Sequence, residues 1–329
     1  MMNDFDPDAP PVELLFGRLA RPGFTSARTL RRDVARGHLV GVRPGVVASA
    51  TDWAVTSDLE RARARLKAVV HTRRDRVVLS HESAALLWGL PYVGRRPDAV
   101  ELADTHGTSP RSRNRVAWRR TPFEIDEIVE LDGFLVTGLT QTIVDIACTR
   151  RFMNAVVAID AALAGRLEGG RTPPANVEAS GLFDRLHADH RRAGRRAERA
   201  IHFADGRSES VGESVSRAHM HLLGFPPPVL QVEFDRADGG IDRVDFDWPD
   251  HELFGEFDGD GKYLRAEYRR GRSIEEVLLA EKKRADGIRR RHGRRDARWD
   301  WRIAISPARL RSALEEAGLP QVRVEQLDW

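Results

Sequence analysis

Apolar residues recur every third or fourth position in some stretches of the chain and every second position in others, and the two periods mark out its elements. After Pro11, the stripe Val12, Leu15, Phe16 and Leu19 predicts a helix that Pro22-Gly23 breaks. Thr25 or Ser26 caps a second helix that runs to Arg36 and stops at Gly37, with Ala27, Leu30 and Val34 on its inner face. Arg28, Arg32 and Arg36 recur every fourth residue on its outer face, with Arg31 beside them. Two short β-branched runs over 39–47 then flank Pro44-Gly45, which predicts a hairpin. Residues 59–72 read as a helix, 77–79 as a strand and 80–89 as a capped helix. Residues 98–103, 114–119 and 134–137 read as strands, and about 140–166 as one long helix. A Gly/Pro-rich linker follows at 169–176, then a basic helix over 181–203.

The last third of the chain is the most patterned. A helix bearing Glu209, Glu213 and Arg217 ends near Gly224, and Val229–Asp235 alternates as a strand. Residues 243–248 and 253–258 are two further strands joined by Pro249-Asp250-His251-Glu252. A turn centred between 250 and 251 sets Asp245 opposite Glu256, with Cβ atoms about 5 Å apart. Period two places Phe246, Trp248, Leu253 and Phe257 on a core face and Asp245, Asp247, Glu256 and Asp258 on the other. Like charges opposed in this way destabilise a hairpin. A divalent cation such as magnesium, which takes hard oxygen ligands, would offset the repulsion; a fully solvated acidic face is the plain alternative. Gly259-Asp260-Gly261-Lys262 then makes a glycine-rich loop around one of only four lysines. A compact ammonium there can donate to a water or a phosphoryl oxygen, or be an ordinary surface group. A helix over 273–291, a strand over 299–305 and a helix over 307–317 complete the chain.

Composition narrows the classes. Of 329 residues 41% are apolar and 31% charged, with a net charge of +3, and no apolar run approaches a membrane span. The acidic, Pro-rich start is not that of a signal peptide. Cys148 is the only cysteine, which excludes an internal disulfide or a multi-cysteine metal site and suits a reducing cytoplasm. The stretch 282–298 carries nine basic residues against two acids, among them Lys282, Lys283, Arg289, Arg290 and Arg291. Such a stretch attracts phosphate; a solvated helix face is the alternative.

A helix with an arginine face followed by a β-hairpin is the pattern of a winged helix-turn-helix, in which the helix enters the major groove and the wing touches the backbone. Through Arg36-Gly37-His38-Leu39 and Val42-Arg43-Pro44-Gly45-Val46 the chain resembles the N-terminal domain of abortive-infection type IV antitoxins, the AbiEi-like family. The helix between the first helix and the recognition helix reads as shortened or missing. The phrases LSHESAALLWGLP and LTQTIVDIA resemble the middle region of antitoxin-like proteins fused to a nuclease module. His81, within the first phrase, has no Ser/His/Asp or Cys/His set around it in the sequence and reads as a cap or core residue; Asp145 and Asp160 read as structural.

The order helix–strand–strand–strand–helix–strand, with GESVSR, RVDFDW, GEFDGDGKY and EKKRADGIRR, resembles the PD-(D/E)XK nuclease superfamily, and within it the very-short-patch-repair-like endonucleases. The resemblance implies that Asp245 and Glu256 hold magnesium or manganese, with Glu213 reaching the ion directly or through water. The superfamily's lysine usually stands two residues after the glutamate, where this chain has Asp258. Either Asp258 is a further ligand and Lys262 supplies the charge, or catalysis is weakened. The expected α/β (α+β) architecture is therefore a tail (1–10), a winged-helix DNA-binding module (11–58), a mixed α/β middle region (59–168), a linker and basic helix (169–204) and a nuclease-like α-β-β-β-α-β domain (205–329). The expected function is a cytoplasmic, metal-dependent DNA endonuclease that contacts DNA through Arg28, Arg31, Arg32, Arg36, Arg43 and the 282–298 stretch. DNA is the expected partner, together with a cognate toxin or defence-system protein, and no membrane. The alternative is a non-catalytic DNA-binding regulator or antitoxin-like protein that uses the nuclease fold as a scaffold.

Overall fold

The structure is a computed structural model that describes residues 12–17, 27–105, 107, 111–120, 127–173, 176–188, 194–259 and 274–322. It is a mixed α/β chain with three sheets among the described residues. None of its described helices is long and apolar enough to cross a membrane. The chain forms two compact units that interleave in sequence. One comprises Met1–Thr149, Leu167–Pro174 and Ser180–Gly194, and the other Arg150–Arg166, Ala175–Ala179 and Arg195–Trp329.

The first unit opens with β1 (Leu15–Phe16), α1 (Ala27–Ala35), β2 (Leu39–Arg43), β3 (Val46–Ser49), α2 (Ala50–Val55) and α3 (Asp58–His71), with strand order β1-β3-β2. Within 12–17 the first expected helix is instead a strand. Leu15 and Phe16 pair with Val47 and Val46, and the Gly17 N–H donates to the Gly45 carbonyl at 2.9 Å. Phe16 gains more by joining the small core of Val42, Val46, Ala48 and Ala68 than from a lone amphipathic turn. Residues 18–26, with the expected caps Thr25 and Ser26, lie outside the described residues. On α1, Leu30 is buried but Val34 is 37% exposed, so the inner face is narrower than the spacing predicts. The β2–β3 turn follows the Pro44-Gly45 signal, and Gly45 adopts φ +82°, which favours glycine.

The second sheet of this unit is built from β4 (Val78–Leu79), β5 (Val100–Ala103), β6 (Val116–Arg119), β7 (Ile128–Leu131) and β8 (Phe134–Thr137), in the order β6-β5-β4-β8-β7. The strand β7 falls where no strand is expected. It pairs with β8 through Asp132-Gly133, both at positive φ, a two-residue hairpin turn. Helix α4 (His81–Trp88) is buried along its whole length and packs on α5 (Leu139–Thr149). The expected long helix over 140–166 is two helices, α5 and α6 (Phe152–Leu163), because each half buries its apolar side in a different unit. At the break, the Thr149 hydroxyl donates to the Asp145 carbonyl at 2.6 Å and Arg151 is extended. The basic helix expected over 181–203 is described as α7 (Ala179–Ala188) and α8 (Gly194–Phe203).

The second unit continues with α9 (Val211–Leu222), β9 (Val229–Asp235), β10 (Ile241–Trp248), β11 (Leu253–Asp258), α10 (Ile274–His292), β12 (Arg295–Asp300), α11 (Trp301–Ala304) and α12 (Pro307–Glu316). Strands β9, β10 and β11 form an antiparallel meander, and β12 lies parallel to β11, giving the order β12-β11-β10-β9. The last strand begins and ends earlier than expected, since the Asp300 side chain accepts from the Ile303 N–H at 2.9 Å and starts a helix in its place. An aromatic face of the sheet meets α9: Phe246 stacks with Trp248 and Trp299, and the Trp299 indole donates to Ser216 Oγ at 2.8 Å. The other face carries Phe234, Val244 and Phe254 against Ala285 and Ile288 of α10. Helix α6 packs on α9, where Arg217 Nη2 and Asp160 Oδ2 lie 2.7 Å apart in a buried ion pair. The Asp205 N–H also donates to Asp160, in keeping with the structural role expected of that residue.

Candidate functional site

Strands β10 and β11 carry the acidic pair. Trp248↔Leu253, Asp247↔Phe254 and Phe246↔Gly255 are paired in the register that the turn arithmetic predicts. One step further, where Asp245 would face Glu256, a side chain enters the ladder: the Phe257 N–H donates to Asp245 Oδ2 at 2.8 Å. On the opposite edge β9 and β10 pair at Val244↔Val232 and Phe246↔Leu230 but not at Asp245 and Gln231, and Gln231 adopts φ +54°. The strand turns over at this point. Val244 packs towards α10 although strict alternation would place it with Phe246 on the aromatic face. The irregularity draws the Asp245 carboxylate into the gap beside Glu256.

The acidic face is neither solvated nor bare. Glu256 is buried and pairs with Arg284 of α10 through Oε1 and with Arg298 of β12 through Oε2, the latter at 2.6 Å. Asp247 is buried and lies 3.3 Å from Arg294, and Asp258 lies 4.0 Å from Arg298. Burial pushes the Glu256 carboxyl above the usual range; Arg284 and Arg298 pull it down, and Asp245 and Asp258 push it up. Glu213 sits at the start of α9 as half of a capping box. Its carboxylate accepts from the Glu209 N–H at 2.8 Å, Ser210 Oγ at 2.7 Å and Gln231 Nε2 at 2.9 Å, and Ser210 Oγ accepts in return from the Glu213 N–H. Burial raises its pKa as well.

Among the described residues no group of three or more His, Cys, Asp or Glu side chains has the arrangement of a metal site. Magnesium needs only one or two carboxylates, because it keeps several waters. Asp245 and Glu256 supply two such donors on neighbouring strands, both oxygens of Glu256 being held by arginines, Oε1 by Arg284 and Oε2 by Arg298. That donor set fits a hard divalent cation once Arg284 and Arg298 give way. Lys262, and the side chain of Lys282, lie outside the described residues.

The other sequence-predicted contacts divide into two groups. Arg28, Arg31, Arg32, Arg36, Lys283 and Arg290 are exposed, whereas Arg43 is half-buried. Arg289 is bound to Asp286 and Asp296, and Arg291 donates to the Asp235 carbonyl at 2.8 Å. Part of the basic stretch thus serves the fold. Sequence reasoning misses Arg284 and Arg298 as partners of Glu256; the signal for Arg298 is the parallel register Glu256↔Arg298. It also misses a buried polar cluster in the first unit. Ser80 Oγ and Asp145 Oδ2 lie 3.2 and 3.4 Å from His81 Nδ1, and Gln141 donates to Asp145 at 2.9 Å. Both groups approach the same ring nitrogen, so the set lacks the division of roles of a catalytic triad.

No family model matches the chain. It is 33% identical over 178 residues to two proteins of Mycobacterium tuberculosis, described as uncharacterized protein MT2308 and uncharacterized protein Rv2248. The match takes in 51% of this chain, and the chain spans 61% of the length of those relatives. Among solved structures it is similar to that of the RV2827C protein from Mycobacterium tuberculosis, with 17% identity and a TM-score of 0.38, over 60% of this chain and 73% of that one.

Proposed function

We propose that the second unit is a metal-dependent phosphodiesterase acting on DNA, with Asp245 and Glu256 holding magnesium or manganese. The observation that carries this reading is the break in the β10 ladder, which sets the Asp245 carboxylate against the Phe257 N–H, next to Glu256. The meander followed by a helix and a parallel fourth strand supports the nuclease-like architecture. A bound divalent ion supplies an acidified water and charge stabilisation at phosphorus. The chain's own contribution is to orient the two carboxylates and to keep guanidinium groups beside them. The exposed arginines of α1 support a DNA-contacting N-terminal module of winged-helix type. The double arginine clasp on Glu256, with Asp258 in the lysine position, favours a second reading in which the unit binds nucleic acid without cleaving it.

The deciding experiment is plasmid cleavage with magnesium or manganese. The parent is expected to nick, and Asp245→Asn and Glu256→Gln are expected to lose at least about 100-fold in rate, a typical cost of removing a charge-stabilising group. A parent that never cleaves supports the binding-only reading, and variants that cleave like the parent remove these two residues from the site.

A further inference from the structure

The second unit sets two arginines on one carboxylate. Glu256 is buried on β11, an interior strand of the sheet, and each of its oxygens meets a different guanidinium. Oε1 meets Arg284 of α10, and Oε2 lies 2.6 Å from Arg298 of β12. Asp160 and Asp247 are buried too, and each faces a single arginine, Arg217 and Arg294. One guanidinium fork already satisfies both oxygens of a carboxylate in a bidentate pair. The second arginine on Glu256 therefore exceeds what neutralising that residue needs. With the Asp245 carboxylate on the neighbouring strand, two guanidinium charges stand where a divalent cation would supply the same charge.

Neither arginine is locked in place. The side chains of Arg284 and Arg298 are 28% and 25% exposed, against 7% for Glu256. Each also has a second place to rest. Arg284 Nη1 donates to the Arg243 carbonyl at 2.9 Å, and Arg298 lies 4.0 Å from Asp258 and 3.7 Å from Asp296. Guanidinium groups at the rim of the acidic pair match phosphate oxygens in geometry. Glu256 can take a cation only by letting go of its arginines, and an arginine already bound to a phosphate has let go.

We infer that Arg284 and Arg298 are exchangeable counterions of Glu256. They hold it while no cation is bound and pass to the backbone phosphates of DNA when one is, so that cation and DNA each tighten the binding of the other. The inference rests on the proposed magnesium or manganese site at Asp245 and Glu256, and its test involves no cleavage.

The test is calorimetric binding of manganese to the full chain, alone and with a short phosphorothioate duplex at matched ionic strength, the duplex's own uptake of manganese being subtracted. The parent should bind and Glu256→Gln should not. Without DNA, Arg284→Gln and Arg298→Gln should each bind manganese about tenfold more tightly than the parent, because one competing charge is gone. The duplex should raise the parent's manganese affinity about tenfold, and that of each Gln variant by less. Arg284→Lys and Arg298→Lys keep the charge without the fork; they should fall between, and they replace the Gln variants where those fail to fold. A clasp that serves only the fold would change melting temperatures and leave this coupling at its parent value. If the arginine variants bind manganese like the parent, or the duplex leaves the parent's affinity unchanged, the inference is overturned and the cation site stands. If neither the parent nor any arginine variant binds manganese, or Glu256→Gln binds like the parent, the site falls and the inference with it. Coupling in a chain that never nicks plasmid would support the exchange and remove only the cleavage reading.

Discussion

Burial and hydrogen bonding decide what individual side chains do here. His219 is buried and its Nδ1–H donates to the Ala304 carbonyl at 2.8 Å, holding α9 to α11. Burial lowers its pKa below the ordinary 6.5, against the pull of that carbonyl. The native state therefore keeps the ring neutral while the unfolded chain takes up a proton below 6.5. Stability present above that value is lost as the pH falls, by up to about 1.4 kcal/mol per unit until the folded pKa is reached. Urea unfolding from about pH 7.5 to 5.5 should show a shallower loss for His219→Gln than for the parent, the amide taking over the donor role; parallel losses would assign the slope to other groups. The neighbourhood of Asp245 and Glu256 is legible in the sequence because a turn of known length sets hairpin register. The arginines on Glu256 are not, since Arg298 arrives through a parallel pairing reached only after α10. His81 is buried as its core reading expects, but its cluster is not legible: Ser80 is its neighbour, whereas Asp145 comes from a helix 64 residues later.

Elements hold their places through a few close approaches. Gly212, in the first turn of α9, lies so near β11 that a Cβ there would stand 2.0 Å from the Phe257 ring. Gly212→Ala must push α9 away from the sheet or turn the ring, and should cost about 1–3 kcal/mol or more in urea unfolding. Phe257→Leu in the same chain should recover part of the loss; a substitution without cost would mean that this contact does not set the helix–sheet distance. Strands β9 and β10 are readable from their alternation, whereas β11 is buried on both sides and is readable from its apolar run and the turn before it. The two-residue β1 is not readable, since its apolar pair satisfies a helical stripe equally well and only Val46 and Val47 decide the matter. At β12 the reading slips because the aromatic and β-branched residues after Trp299 suit a strand, while the Asp300 cap turns them into a helix.

Across the whole molecule the main departure from the sequence reading is that α6 belongs with the second unit, although its residues fall in the expected middle region. Helical periodicity runs through 140–166 without marking which half packs where. A fragment of residues 205–329 would keep the four-stranded sheet but lose α6 and Asp160. The face of α9 that packs on α6 would then be laid open to water and the Arg217–Asp160 ion pair lost. We expect a fragment of 150–329 to melt cooperatively and one of 205–329 not to. Equal melting temperatures would show that α6 is dispensable.

The interleaving also has a consequence on the ribosome. Helix α6 ends at Leu163, and its packing partner α9 begins at Val211, about 50 residues later. At roughly 5–20 residues per second the gap lasts about 2–10 s. During that time Val156, Val157 and Ile159, all buried in the finished protein, have no partner helix to cover them. A helix of 12 residues is marginal alone in water. Every newly made chain therefore carries a sticky, half-formed helix for seconds. Slow codons between α6 and α9 would lengthen that exposure, and a chaperone that binds short apolar segments would find its target there.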